Sequence, residues 1–562
     1  MSDSQKKQYA VYWHKENRSP IILDVFARED IAYGDTVSYM AVDIRPVFLE
    51  EKFLLSQILP DAFGDVWEKS VWADKSSHFF IDGVKVKKSI LQALKKFPSN
   101  ILAEEFEKFN PSADMLCAEQ DIINAFVKCN EGHLNKILYE VSPDSEGWSQ
   151  GAIPFIQEVV ARNPNRHPFV SFSGGKDSTV VSHLVQQALS SPSIIHIFGD
   201  TTLEFPYTYE YVKRFQEKHT RTPFLLERNN ESDFMSLCKK VGPPSRVKTW
   251  CCSIFKTGPM GTTLANMGME LLTFYGVRRH ESASRSKYLR LTPSPKLEMQ
   301  HVAAPIIDWY DVDVWLYILK NKLDFNKAYR LGFTRVGCWC CPNNSDWSDL
   351  LMAVHNSKHY SEWRDFLIHF ATKIGKAEAE ADIETGKWKA RHGGDGLDVH
   401  TTKVNSKDCT VENNARQYTL TREMSEDFYE FFKPFGKLDF TLGKKGTTEV
   451  FVFNRNNDIV MKISGAIGGH NVRISFYPAL KKLTASFANQ TNIVSYIDKQ
   501  IRKFQTCVFC QACNSICPVG ALSVGHGTYK INESKCVHCL KCVTHFSSGC
   551  LIASALETKN EQ

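Results

Sequence analysis

The last sixty residues constrain the fold more than any other part of the chain. "CVFCQACNSICP", Cys507 to Pro518, is C-x2-C-x2-C-x3-C-P, and "CVHCLKCVTHFSSGC", Cys536 to Cys550, is C-x2-C-x2-C-x7-C. Thiolates at this spacing present three sulfurs to one 4Fe–4S cubane, while the fourth cysteine of each run crosses to the other cluster. Cys507, Cys510, Cys513 and Cys550 are therefore expected to hold one cluster, and Cys517, Cys536, Cys539 and Cys542 a second. A zinc ribbon is the other metal reading, and eight cysteines in this order weigh against it.

Over its whole length this segment resembles a bacterial-type ferredoxin. It departs from that pattern in its long last spacer with no proline after Cys550, which bears on the potential of that cluster. Two adjacent clusters make a wire, so the resemblance implies redox chemistry elsewhere in the chain and an external low-potential electron donor. With its own metal-held core the module is expected to be separable, and a chain cut before Cys507 to fold and still bind nucleotide.

The other cysteines are clustered too, at Cys251-Cys252 and from Cys338 to Cys341. Disulfide frameworks belong to small secreted domains. Here the N-terminal stretch is polar without a signal-peptide core, and no apolar run reaches the length of a membrane span. The expectation is a cytoplasmic protein, not a membrane one, with cysteines serving metals. A net charge of +5 over 562 residues creates no strong field for nucleic acid or lipid.

That length implies several domains. Residues 1–110 read as an N-terminal α+β accessory domain and 111–165 as a helical segment. Residues 166–345 read as an α/β parallel-sheet catalytic domain. Residues 346–419 follow as helices ending in the polar, loop-like "RHGGDGLDVHTTKVNSKD", then 420–500 as a small α+β domain and 501–562 as the cysteine module. Within 166–345, "PFVSF", "SIIHIFGD", "PFLL" and "ELLTFYGVR" read as strands alternating with helices, which places ligands at the strands' carboxyl ends.

At one such end lies "SFSGGKDSTVV". Gly174 and Gly175 let successive backbone N–H groups close round phosphate oxygens, and the following helix N-terminus adds positive potential. Lys176 adds a point charge, and Ser173 and Ser178 can donate hydrogen bonds. The turn is not a Walker A loop; Ser173-Gly174-Gly175-Lys176-Asp177-Ser178 resembles the PP-loop of ATP pyrophosphatases. "GDTTLEFPYTYEYV", "WCCSIFKTGP", "GVRRHESASR", "PIIDWYDVDVWLYI" and "RVGCWCCP" follow in order. Together these motifs resemble the phosphoadenosine phosphosulfate (PAPS) reductase family over roughly residues 165 to 345.

The resemblance implies that Cys251, Cys252, Cys338 and Cys341 bind a third 4Fe–4S cluster beside an adenine nucleotide, with Cys340 left out on spacing alone. It places Arg278, Arg279 and Arg285 in an oxyanion-binding motif, where any of them could instead pair with Glu281. Lys176, Asp177 and these three arginines are the candidate catalytic residues. Ser173, Gly174, Gly175, Lys176, Asp177, Ser178, Asp200 and Lys256 are the candidate nucleotide contacts. Asp200 is placed to meet ribose or magnesium, and Asp308 and Trp309 to brace the site. Cys117, Cys129, Cys238 and Cys409 read as small core residues.

Three functions fit. The first is reduction of an adenylyl sulfate, PAPS or adenosine phosphosulfate (APS), to sulfite. The C-terminal E-C-G-[LI]-H segment that carries a nucleophilic cysteine in such reductases is absent, so the ferredoxin would replace the thiol. The second is ATP-dependent sulfur insertion into DNA, tRNA or another acceptor. The intact loop favours it, and "GCW-x-C" is similar to sulfur-inserting relatives. The third is an inactive nucleotide sensor. Arg473, Lys481 and Lys482 are the residues through which 420–500 could meet a nucleic acid.

Overall fold

Six short runs between His167 and Ala303 build the central sheet. They are β1 (His167–Ser171), β2 (Ile195–Asp200), β3 (Phe224–Arg228), β4 (Leu271–Phe274), β5 (Leu291–Pro293) and β6 (Gln300–Ala303). In the computed structural model their order is β3-β2-β1-β4-β6-β5. All neighbours run parallel except the edge strand β5, which pairs antiparallel with β6. The model describes all residues except 1–8, 25–35, 89, 91–92, 94–98, 269, 295–299, 394–396, 398, 444–447, 481–492 and 558–562.

Parallel sheets need cover on both faces. Helices α1 (Lys176–Ala188), α2 (Pro206–Lys218), α3 (Gly258–Met267) and α4 (Asp311–Lys320) supply it. Val180, Val181, Leu184 and Val185 of α1 are fully buried in the core that also takes Val312, Val314 and Leu316 of α4. The chain lays β2 and β3 on one side of β1 and β4 on the other. The strand order therefore reverses at β1, and a crevice opens at its carboxyl end, where residues 173–178 lie.

The N-terminal residues do not core separately. A three-stranded antiparallel sheet centres on Tyr9–His14, and four short strands follow between Arg45 and Lys85. Val11, Trp13, Phe48 and Trp72 pack in the same cluster as Val180 and Trp315. Helices Ala113–Cys129, Glu131–Tyr139 and Ala152–Ala161 occupy the stretch read as helical.

A second sheet comprises β7 (Asn405–Asp408), β8 (Ala415–Thr419), β9 (Lys437–Asp439), β10 (Glu449–Phe453), β11 (Ile459–Gly465) and β12 (Asn471–Phe476). It is antiparallel throughout, in the order β7-β8-β12-β11-β10-β9. It begins at Asn405, inside the stretch read as loop. "NSKD" is a largely exposed edge strand, so no apolar alternation announces it.

Helix α5 (Ile493–Thr506) leads into the cysteine segment, whose two motifs flank the hairpin β13 (Leu522–Gly525) and β14 (Thr528–Ile531). This segment is not self-contained. Leu522, Val524, Tyr529 and Ile531 share a core with Tyr418, Phe431 and Phe504, and the Phe431 and Tyr529 rings stack at 4.2 Å. On its other side Ala512, Ile552 and Ala553 pack with Phe234, Trp250 and Trp363. Helix α3 touches it closely: a Cβ on Gly261 would lie 2.5 Å from Ser515 Cα. Among the described residues no helix is long and apolar enough to cross a membrane.

Candidate functional site

The loop after β1 is a tight turn. Gly174 has φ +69°, and a Cβ there would lie 2.8 Å from Thr208 Cγ2, so glycine is required twice over. Ser178 Oγ donates to Gly175 O at 2.9 Å and accepts from Ser173 N at 3.2 Å. Its hydroxyl thus ties the turn rather than pointing at a ligand. The Lys176 N–H, first of the helix, donates to Tyr329 Oη at 3.0 Å.

Beneath the turn lies a buried cluster of four charges. Lys176 Nζ is 3.1 Å from Asp177 Oδ2 and 3.2 Å from Asp311 Oδ1. Arg278 Nε is 2.6 Å from Asp177 Oδ1, and its Nη2 is 2.6 Å from Asp311 Oδ1. Two cations thus alternate with two carboxylates. Burial alone would raise both carboxyls, but Arg278 and Lys176 more than reverse this and hold Asp177 and Asp311 below the usual carboxylate range. Arg278 Nη1 is buried and has no hydrogen-bond partner, which leaves it available to an oxyanion.

Sequence reasoning missed Asp311, although it stands in "DWYDVDVW" three residues from the Asp308 that was singled out. It also missed Asp43, whose carboxylate accepts from Asp311 N at 3.1 Å and Val312 N at 3.0 Å and so caps α4. No local signal ties Asp43 to a helix that begins 268 residues later.

The remaining arginines have anions already. Arg279 pairs with Glu146 and Asp308, and Arg285 with Glu281. The buried carboxylate of Asp200, expected to meet ribose or magnesium, accepts from Tyr209 Oη at 2.7 Å, Thr202 N at 2.8 Å and Arg228 Nε at 2.8 Å. It anchors the end of β2.

The first cysteine pair sits on the turn Trp250–Cys252, which runs into a π-helical turn, Ser253–Thr257, of the kind common at functional sites. The second arrives from far along the chain: Trp339 N donates to Leu203 O at 2.8 Å, and Cys338 bridges to Glu204 just beyond β2. Cys251 hydrogen-bonds with Cys252 and lies within electrostatic reach of Cys338 and Cys340, and Cys341 lies within reach of Cys252. Burial, together with these neighbours, pushes the Cys251, Cys338 and Cys341 thiols up. A bound cation would relieve that penalty. Cys340 turns into the apolar cluster beside Cys238 and is 4% exposed. Lys256 is exposed on the π turn, within electrostatic reach of Glu204 and Cys338.

The eight C-terminal cysteines line two cavities. Cys507, Cys510, Cys513 and Cys550 line one cavity, and Cys517, Cys536, Cys539 and Cys542 another. Among the described residues no set of His, Cys, Asp and Glu side chains converges on a single-ion site. The first cavity adjoins the π turn, where Asn229 Nδ2 donates to Ile254 O at 3.0 Å and Cys510 O at 3.3 Å. Of the four isolated cysteines only Cys238 is buried; Cys117 is exposed, and Cys129 and Cys409 are half-buried, so three of them are not core residues. Arg473 pairs with Glu412 at 3.5 Å, and Lys481 and Lys482 lie outside the described residues.

Residues 167–344 match the phosphoadenosine phosphosulfate reductase domain. An uncharacterized protein of Methanocaldococcus jannaschii is 30% identical over 274 residues, 49% of this chain and 53% of its own length. A second from that organism is 32% identical over 230 residues, 41% of this chain and again 53% of its own. The chain thus spans about half the length of these first relatives. The adenosine 5'-phosphosulfate reductase of Bacillus mycoides is 29% identical over 213 residues, 35% of this chain and 86% of its own. Among solved structures, PAPS reductase from Candida auris in a phosphate complex aligns at 19% identity over 41% of this chain and 97% of its own, with a TM-score of 0.28.

Proposed function

We propose that the chain reduces an adenylyl sulfate to sulfite, holding the nucleotide at Ser173–Ser178 and drawing electrons through three 4Fe–4S clusters. The observation that supports this reading is the lining of two cavities by four C-terminal cysteines each, one of them adjoining the π turn that follows Cys251 and Cys252. The C-terminal sets suit the group: four thiols line each of two cavities. When bound, the clusters supply single electrons from an external low-potential donor.

The chain's own residues do the rest. The glycine turn and the N-terminus of α1 receive phosphate oxygens. The carboxylates of Asp177 and Asp311 fix Lys176 and Arg278 before substrate arrives, so the donors need no reorganisation as charge develops. Arg278 Nη1 is the free donor, and Lys256 adds a positive charge near Glu204 and Cys338. Two electrons take the sulfur from S(VI) to S(IV); the bond between sulfur and the bridging oxygen breaks, and that oxygen leaves with the nucleotide as a phosphate. The complete S-G-G-K-D-S turn favours a second reading, in which ATP activates an acceptor for sulfur insertion and releases AMP and pyrophosphate. Magnesium would then accompany the nucleotide.

Anaerobic protein with a low-potential reductant should yield sulfite from APS or PAPS and no pyrophosphate from ATP. Pyrophosphate from ATP without sulfite from either sulfate would establish the second reading instead. The same preparation should hold about twelve irons per chain. Cys251→Ser should lose about four of them together with sulfite production; stoichiometric zinc with little iron would overturn both readings.

A further inference from the structure

Lys503 lies on α5, outside both cysteine motifs, and is 1% exposed. Two other buried lysines reach carboxylates, Lys176 at Asp177 and Asp311 and Lys389 at Asp349 (2.7 Å), while Lys52 donates to the carbonyls of Trp67 and Lys69. Lys503 donates to the carbonyl of Cys542, and among the described residues no carboxylate lies within ion-pair distance of it. It lines the cavity of Cys507, Cys510, Cys513 and Cys550, while its carbonyl partner belongs to the other quartet. Its charge reaches Cys507, Cys513 and Cys542. An ammonium in such surroundings is a large uncompensated cost unless an anion is its neighbour.

Tyr529 stands beside it, with Lys503 Nζ 5.8 Å from the ring centroid. The side chain is fully buried, stacked on Phe431, and its hydroxyl has no partner. Cys542, Cys513, Cys507 and Cys550 all lie within its electrostatic reach. One buried cation and one buried unpartnered donor therefore share the wall between the two quartets.

We propose that Lys503 is the counter-charge of both C-terminal clusters and that, with the Tyr529 hydroxyl, it raises their reduction potentials. The proposal rests on the cluster reading above. A 4Fe–4S cluster on four thiolates is an anion and gains negative charge on reduction. Net charge and hydrogen bonds to its sulfurs set its potential. A fixed positive charge at the shared wall favours the reduced state of both clusters.

The test is an anaerobic, EPR-monitored redox titration of the full chain, with iron measured on each sample. Lys503→Gln keeps a donor for the Cys542 carbonyl and removes the charge. It should disfavour reduction of both clusters about tenfold, a shift of about 59 mV to more negative potential for one electron. Tyr529→Phe should shift them in the same direction by less, and Lys503→Arg should stay near wild type. Full iron with wild-type potentials in Lys503→Gln would overturn the proposal. If that variant takes up no iron, retention of iron by Lys503→Arg supports it, and loss from both with unmoved potentials in Tyr529→Phe overturns it. A wild type without iron would defeat the cluster reading itself, a result distinct from unmoved potentials.

Discussion

A chain ending before Cys507 should not fold to a soluble protein. Deletion would strip Leu522, Val524, Tyr529 and Ile531 from the core of the second sheet and Ala512, Ile552 and Ala553 from the cluster round Trp250. Each fully buried large apolar side chain contributes about 1.5–3 kcal/mol. Losing several from two cores at once is comparable with the roughly 5–15 kcal/mol by which a domain is stable. The exposed faces would include Phe431 and Phe504, aromatic surface that drives aggregation. Soluble yield, size-exclusion profile and thermal unfolding of the truncated chain check this. A monomer with a cooperative transition at the full-length temperature would mean that the shared cores carry little stability.

Arg278→Met should be the most damaging substitution at the nucleotide site. The wild-type guanidinium contacts both Asp177 and Asp311, and the variant leaves two buried carboxylates to Lys176 alone. Breaking a buried pair in this way costs about 3–5 kcal/mol. The pH dependence follows from the direction of the shifts. Arg278 and Lys176 depress both carboxyls in the wild type, so their stabilisation is complete above the ordinary carboxylate value and is lost only as pH falls through the lower folded values. In the variant, burial outweighs what remains and the folded values rise. Mild acid then neutralises the offending charge, and the gap in thermal stability should be widest near pH 7 and narrower by about pH 5. Equal melting temperatures at neutral pH, or a gap independent of pH, would contradict this.

The central sheet and its loop were legible because both are local. "PFVSF" and "SIIHIFGD" are short apolar runs bounded by turns, and a glycine at φ +69° announces its own necessity. Cysteine spacing carried the division into quartets for the same reason. What escaped was set by contacts across the chain. Asp43 caps a helix beginning at Asp311, Cys338 is laid beside Glu204 by a bridge, and Lys503 comes to lie between two motifs that it precedes. Polar side chains that satisfy one another in the interior leave no period in the sequence. Shared cores are equally silent, because Phe431 and Tyr529 read as ordinary apolar positions in separate segments until they stack. The edge strand Asn405–Asp408 shows the converse, a structured element with a loop's composition.

The proposed function requires that electrons held on the cysteine-ligated clusters reach the sulfur of an adenylyl sulfate. Protein reduced anaerobically and freed of excess reductant can be mixed with APS or PAPS while the visible absorption of the clusters is followed. The account predicts that the bleached absorption returns on mixing and that one sulfite forms for every two electrons lost. Reduced protein that stays reduced in the presence of either sulfate, with no sulfite formed, would contradict it.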